Sequence, residues 1–184
     1  MKDVAEMAVK FMAAAARTAP KAGGKDFLEI VVVTADEDLK RIAASMREYA
    51  PRSTNEAFWM RDASNIENSQ AVLLIGLAKP VTAGYDCGAC GAPTCAEFAK
   101  TRKVVTKEMG YTGPHCVMRM IDIGVALASA AKAASILSVD NRVQQRVGAA
   151  ARALEIIKGE VVLGIPVSIT GKSIYFDRAA PAKH

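Results

Sequence analysis

The chain has 184 residues, enough for one domain with a sizeable core. Apolar residues make up 51% and charged residues 23%, ordinary for a soluble globular protein, while 5% aromatics and abundant alanine favour closely packed helices over a large aromatic-lined pocket. The formal net charge of +5 comes from scattered lysines and arginines without interleaved aromatics. That argues against nucleic-acid binding and leaves an acidic small substrate or an acidic redox partner compatible with the composition.

Residues 3 to 17 repeat Val4, Met7, Ala8, Phe11, Met12 and Ala15 at helical steps, and Pro20 with Gly23-Gly24 ends that helix. The acids within Met1–Glu6 are unlike the apolar stretch of a signal peptide. Phe27–Thr34 reads as a buried strand and Asp36–Tyr49 as an amphipathic helix. Pro51–Asn68 reads as a polar, irregular stretch in which Trp59 is exposed beside Arg61, lining a pocket or anchoring a loop. Ala71–Leu77 is a second buried strand. Cys95–Met109 has helical character, and Asp122 is placed as the N-cap of an alanine-rich helix ending near Leu137. Asn141–Ile157 reads as a further helix, Val161–Gly164 as a third strand, and Pro166–Phe176 as an extended tail. The run Ile121–Val139 contains Asp122 and Lys132, too polar for a membrane span. The expected location is the cytoplasm, where cysteines serve more often as metal ligands or catalytic groups than as disulfides. Interleaved helices and strands make the class α/β (α+β), with residues 84–116 inserted into a single domain spanning 1–184.

All four cysteines, Cys87, Cys90, Cys95 and Cys116, fall in that insertion with the spacing C-x2-C-x4-C-x20-C. A tight loop offering three thiolates and a distal segment closing the fourth side suits one iron–sulfur cluster, most simply a [4Fe-4S] cluster. Gly88 and Gly91 let backbone N–H groups approach, and Cys95 opens a helix whose positive end favours an anion. Structural zinc usually takes two C-x2-C knuckles, so this spacing fits it less well; a two-iron cluster and a redox disulfide are further alternatives. In that non-redox reading the metal only fastens the loop, and the protein is a binding or structural module.

The run Cys87-Gly88-Ala89-Cys90-Gly91-Ala92-Pro93-Thr94-Cys95 resembles the short four-iron domain of electron-transport complex subunits and corrinoid iron–sulfur proteins. The interval to Cys116 is longer than in that module, which makes His115 a second candidate for the fourth ligand. Outside the insertion, Ala15–Gly24 followed by the strand Ile30–Thr34 resembles the early part of flavin-dependent nitroreductases. Val139-Asp140-Asn141-Arg142 and Thr170–Arg178 resemble the ferredoxin-domain-containing proteins of bacteria and archaea. These resemblances imply a nitroreductase-like three-layer sandwich, FMN as a further cofactor and a homodimer. They also imply an oxidoreductase or electron-transfer protein with an electron donor or acceptor of its own. The arginine-rich segment that grips the flavin phosphate in nitroreductases is missing. Lys21 and Gly24 stand where a flavin-contacting serine and asparagine would be. Lys21, Gly23, Gly24 and Lys172, with Lys25, are the candidate flavin or anion contacts. No Ser-His-Asp or Cys-His catalytic set is present, and His115 and His184 are the only histidines.

Overall fold

The first helix, α1 (Lys2–Thr18), turns Ala5, Ala8, Val9, Met12 and Ala16 inward, the small-residue face that its periodicity predicts. In this computed structural model, which describes residues 1–79 and 81–176, that face lies on an antiparallel sheet. Strand β1 (Leu28–Val33) pairs with β2 (Ala71–Leu77), and helices α2 (Asp36–Tyr49) and α3 (Glu56–Glu67) lie between them in sequence. The cysteine segment follows β2. It contains the short helix α4 (Cys95–Thr101) and a two-stranded ribbon, β3 (Val105–Thr106) with β4 (Thr112–Gly113). Then come α5 (Val117–Ile136), β5 (Asp140–Asn141), α6 (Gln145–Ala153) and β6 (Val161–Ser168). The main sheet runs β1-β2-β6-β5 with every pairing antiparallel.

Alternate residues of β2 serve opposite faces of the sheet. Leu73 and Ile75 pack against α1 and α5, while Val72 and Leu74 pack against α2, α3 and α6. The result is the expected three-layer arrangement, with two helices on one side of the sheet and three on the other. Helix α6 comes very close to the sheet at Gly148, where a Cβ would sit 2.2 Å from the Val162 carbonyl oxygen. None of the described helices is long and apolar enough to cross a membrane.

Five sequence expectations are corrected. Pro51–Asn68 is not irregular: Trp59, Ala63 and Ile66 form the buried face of α3, and Trp59 is buried against Tyr49, with ring centroids 4.8 Å apart. Buried Asp62 and Asn65 share that face, which hid its apolar rhythm. The helix at Cys95 ends at Thr101, because β-branched Val105 and Thr106 pair across to Gly113 and Thr112. Asp122 caps nothing: α5 begins five residues earlier, and Asp122 lies inside it, buried. The helix expected from Asn141 begins at Gln145, since Asn141 pairs with Val167 in the sheet. The third strand continues through Pro166 to Ser168; a proline argues against a central strand, yet here it lies near the strand's end. Residues 177 to 184, including Arg178 and His184, lie outside the described residues.

Candidate metal centre

β2 hands the chain to a loop whose described residues form no helix or strand before α4; the β3–β4 ribbon follows, and α5 begins just after Cys116. Within the loop Gly88 and Gly91 have φ of 73° and 83°, left-handed values that favour glycine, and the Gly91 N–H closes a turn on the Gly88 carbonyl at 2.9 Å. Asp86, also left-handed at φ 47°, accepts the Cys95 N–H on Oδ1 at 2.6 Å and so clasps the two ends of the cysteine loop. Thr94 caps α4 by accepting the Glu97 N–H at 3.1 Å, and Cys95 is the first residue of that helix.

All four cysteines line one cavity, with Asp86 and Phe98 also in its wall; it holds about 260 Å³ of atom-free space, part of it open to solvent. Exposure is graded across the set. Cys87 is exposed, Cys90 and Cys95 are half-buried, and Cys116 is buried at the N-terminus of α5. Burial alone would raise the Cys116 pKa, but the nearby backbone N–H groups of Ala83, Arg119 and Met118 favour the thiolate, and the thiol lies below its ordinary value. Burial pushes the Cys90 thiol up; the Val117 N–H, 3.2 Å from its Sγ, opposes this, while Cys116 and Cys87 nearby add to it. The helix end and its N–H groups therefore favour negative sulfur where two segments of the cavity wall meet. Among the described residues no group of three His, Cys, Asp or Glu side chains is arranged to hold a single metal ion. His115 is not part of the cavity wall; its Nε2 faces the Thr112 carbonyl at 2.6 Å and Glu160 at 3.3 Å.

Comparison with known proteins bears on this segment and on its frame. An uncharacterized protein of Archaeoglobus fulgidus is 45% identical over 174 residues, covering 95% of this chain and 91% of the relative. The family model "Uncharacterized protein containing a ferredoxin domain (DUF2148)" matches residues 112–178. The chain belongs to this ferredoxin-domain family. A second model, described as "Putative Fe-S cluster", matches residues 83–108, which include Cys87, Cys90 and Cys95. Among solved structures, a nitroreductase with bound FMN from Desulfitobacterium hafniense superposes with a TM-score of 0.59 at 14% identity, covering 91% of this chain and 79% of that one. A BluB-like flavoprotein from Clostridium difficile 630 gives 0.56 at 14% identity, covering 97% and 85%. At such identities the likeness is one of fold: this ferredoxin-domain protein has a nitroreductase-like fold.

In this member of the family the residues expected to contact flavin are placed differently from a phosphate cradle. The Lys21 side chain is 4% exposed, and its Nζ donates to the carbonyls of Ala16, Arg17 and Ala19 at 3.0, 2.8 and 2.7 Å, capping the end of α1. Gly23 and Gly24 are left-handed in a tight turn in which the N–H groups of Ala22, Gly24 and Lys25 are already used. Ala22 donates to Asp122 Oδ1 at 2.7 Å, Gly24 to the Lys21 carbonyl and Lys25 to the Ala22 carbonyl. Lys172 lies beyond β6, where its carbonyl accepts the Thr170 hydroxyl at 2.7 Å. A flavin phosphate requires uncommitted donors, and in this turn the Gly23 N–H and the exposed Lys25 side chain are what is left to supply them, with the Lys21 ammonium already engaged.

Arg119, not singled out in the sequence, and Asp122, expected there only as a cap, hold that turn. Arg119 Nη1 bonds Asp122 Oδ2 at 2.6 Å and the Ala22 and Lys25 carbonyls at 3.2 and 3.4 Å, and its guanidinium stacks on Phe27. The turn is thereby bolted to the first two turns of α5, directly after Cys116. The readable signal was an arginine and an aspartate three apart in a helix whose one other charged residue is Lys132. Asp86, the loop clasp, had no comparable signal.

Proposed function

We propose that this ferredoxin-domain protein is an iron–sulfur electron-transfer protein, with Cys87, Cys90, Cys95 and Cys116 holding one [4Fe-4S] cluster. The observation that carries the reading is the convergence of all four cysteines on one cavity, with Cys116 favoured as thiolate by three backbone N–H groups. The donor set is all sulfur, which suits iron–sulfur ligation. When bound, such a cluster supplies reversible one-electron chemistry. The chain's own contribution is to fix Cys116 on a rigid helix, to close the loop through the Asp86–Cys95 clasp, and to leave the Cys87 side facing solvent.

The 21–25 turn gives no support to a flavin step, so none is assigned. A homodimer belongs to the same reading: Val4, Met7, Phe11 and Leu137 line one hollow on the α1 and α5 surface, and the exposed Met7 and Phe11 side chains suit burial against a second copy. Anaerobically purified protein should contain about four iron and four sulfide per chain and absorb broadly near ~400 nm, bleaching with dithionite. One zinc per chain and no colour would overturn the redox reading in favour of a metal that only fastens the loop.

A further inference from the structure

The cysteine segment carries more positive charge than metal binding uses. From Phe98 to Lys107 it contains Lys100, Arg102, Lys103 and Lys107 and no acid. Arg102 is tied to the Pro114 carbonyl at 2.8 Å. The other three side chains are exposed, and their ammonium groups pair with no described residue. The acids that bound the run are engaged: Glu97 with Thr94, and Glu108 with Arg52 at 3.4 Å. Between the lysines stand Val104 and Val105, 54% and 57% exposed. The surface is anchored from behind. The Thr112 N–H donates to the Glu160 carbonyl at 2.9 Å, and Arg152 bonds the Thr112 hydroxyl at 2.9 Å and the Lys107 carbonyl. β3 is paired on one side only.

Resting on the iron–sulfur reading above, we infer that this ribbon and the end of α4 dock an acidic protein electron carrier. Exposed valines interspersed with exposed lysines suit a small, electrostatically steered interface, and the charge surplus selects an acidic partner. Lys100 shares α4 with Cys95, about 7.5 Å further along the axis, so a carrier seated here lies beside the cysteine cavity. Nucleic acid fits less well: the one aromatic residue of the run, Phe98, is buried and offers no ring for a base to stack on. In the reaction one electron leaves the reduced carrier and enters the group held by the four cysteines; the carrier is oxidised by one electron, and no covalent bond changes.

The test uses the cluster-loaded full chain with an acidic two-iron ferredoxin as the probe. Titration calorimetry with the oxidised ferredoxin should show binding at about 20 mM salt that weakens about tenfold by about 200 mM. The Lys100→Glu/Lys103→Glu/Lys107→Glu variant should bind about tenfold or more weakly at low salt, with unchanged circular dichroism and visible spectrum. Val104→Ser/Val105→Ser keeps the charge and should weaken binding at both salt concentrations. Wild-type affinity in both variants, or affinity indifferent to salt, overturns the proposal. So does a triple variant that loses only binding to a single-stranded oligonucleotide. Colour separates the two readings: a chain without iron fails the cluster reading, whereas a brown, dithionite-bleached chain that ignores ferredoxin fails only the docking surface.

Discussion

Two loops meet at the N-terminal end of α5, and they differ in what they leave unused. In the 21–25 turn the Lys21 ammonium and the Ala22, Gly24 and Lys25 N–H groups are taken by the chain itself. In the cysteine loop the sulfur atoms face a shared cavity, and the Val117 N–H at the start of α5 points at the Cys90 sulfur. The two touch: a Cβ on Gly23 would sit 3.4 Å from the Tyr85 hydroxyl. Both loops are glycine-rich and carry left-handed residues, so composition alone does not separate a structural turn from a binding loop. The difference lies in where the polar atoms are directed.

Breaking that contrast has its largest expected effect at the cysteines. Cys116→Ala, and likewise Cys90→Ala, should lose essentially all iron and visible absorbance while retaining the helical circular dichroism of the frame, measured on anaerobic protein. Next is Arg119→Met, which leaves the Asp122 carboxylate buried without its partner. The Arg119 and Asp122 side chains are 2% and 6% exposed, and breaking such a pair costs about 3–5 kcal/mol. For a chain of this size that lowers Tm by about 6–20 °C, read by differential scanning calorimetry. Arg119→Met/Asp122→Leu should recover much of the loss.

Lys21→Met should cost about 2–3 kcal/mol through the lost charged hydrogen bonds at the end of α1 and leave the visible spectrum unchanged. A fluorescence assay of flavin released by heat should read blank for both proteins. Flavin in the wild type that vanishes in this variant would reverse the assignment of the turn.

The smallest effect concerns Tyr175, buried with its hydroxyl 2.8 Å from that of Ser69. Burial raises its phenol pKa, so the neutral form is favoured in the folded chain. Its contribution is complete below the unfolded value of about 10 and is lost as pH rises above it. Tm should therefore fall above about pH 10, and Tyr175→Phe should soften that fall while costing about 1 kcal/mol at neutral pH.

Most of the frame was legible in the sequence because its signals are local. The apolar rhythm of α1 and α2 and the continuous apolar run of β2 each report burial directly, and α2 and β2 have the predicted bounds. Two of the readings that failed share one cause, polar residues buried by distant partners. Asp62 lies in α3 because Arg146 reaches it at 3.0 Å from α6, and Asp122 lies in α5 because the Ala22 N–H, with neighbouring Arg119, satisfies it. Neither Arg146 nor the Ala22 N–H is visible from local pattern. At the candidate metal centre, spacing grouped the four thiols that line one cavity but did not give their unequal surroundings, since the N–H groups that act on Cys116 come from Ala83 in the loop and from the unexpectedly early start of α5.

That helix start has a consequence for how the centre is built and lost. Cys116 stands at the end of a 20-residue helix packed into the core, whereas Cys87 and Cys90 lie in a loop and Cys95 opens the short helix α4. On the proposed reading Cys116 is a fixed post and the others close on it like a hasp. Iron delivery is expected to begin at the post, where the thiolate is already favoured, and to finish at Cys87. Oxidative damage is expected to run the other way, opening first at the solvent-facing corner and leaving Cys116 in place for repair.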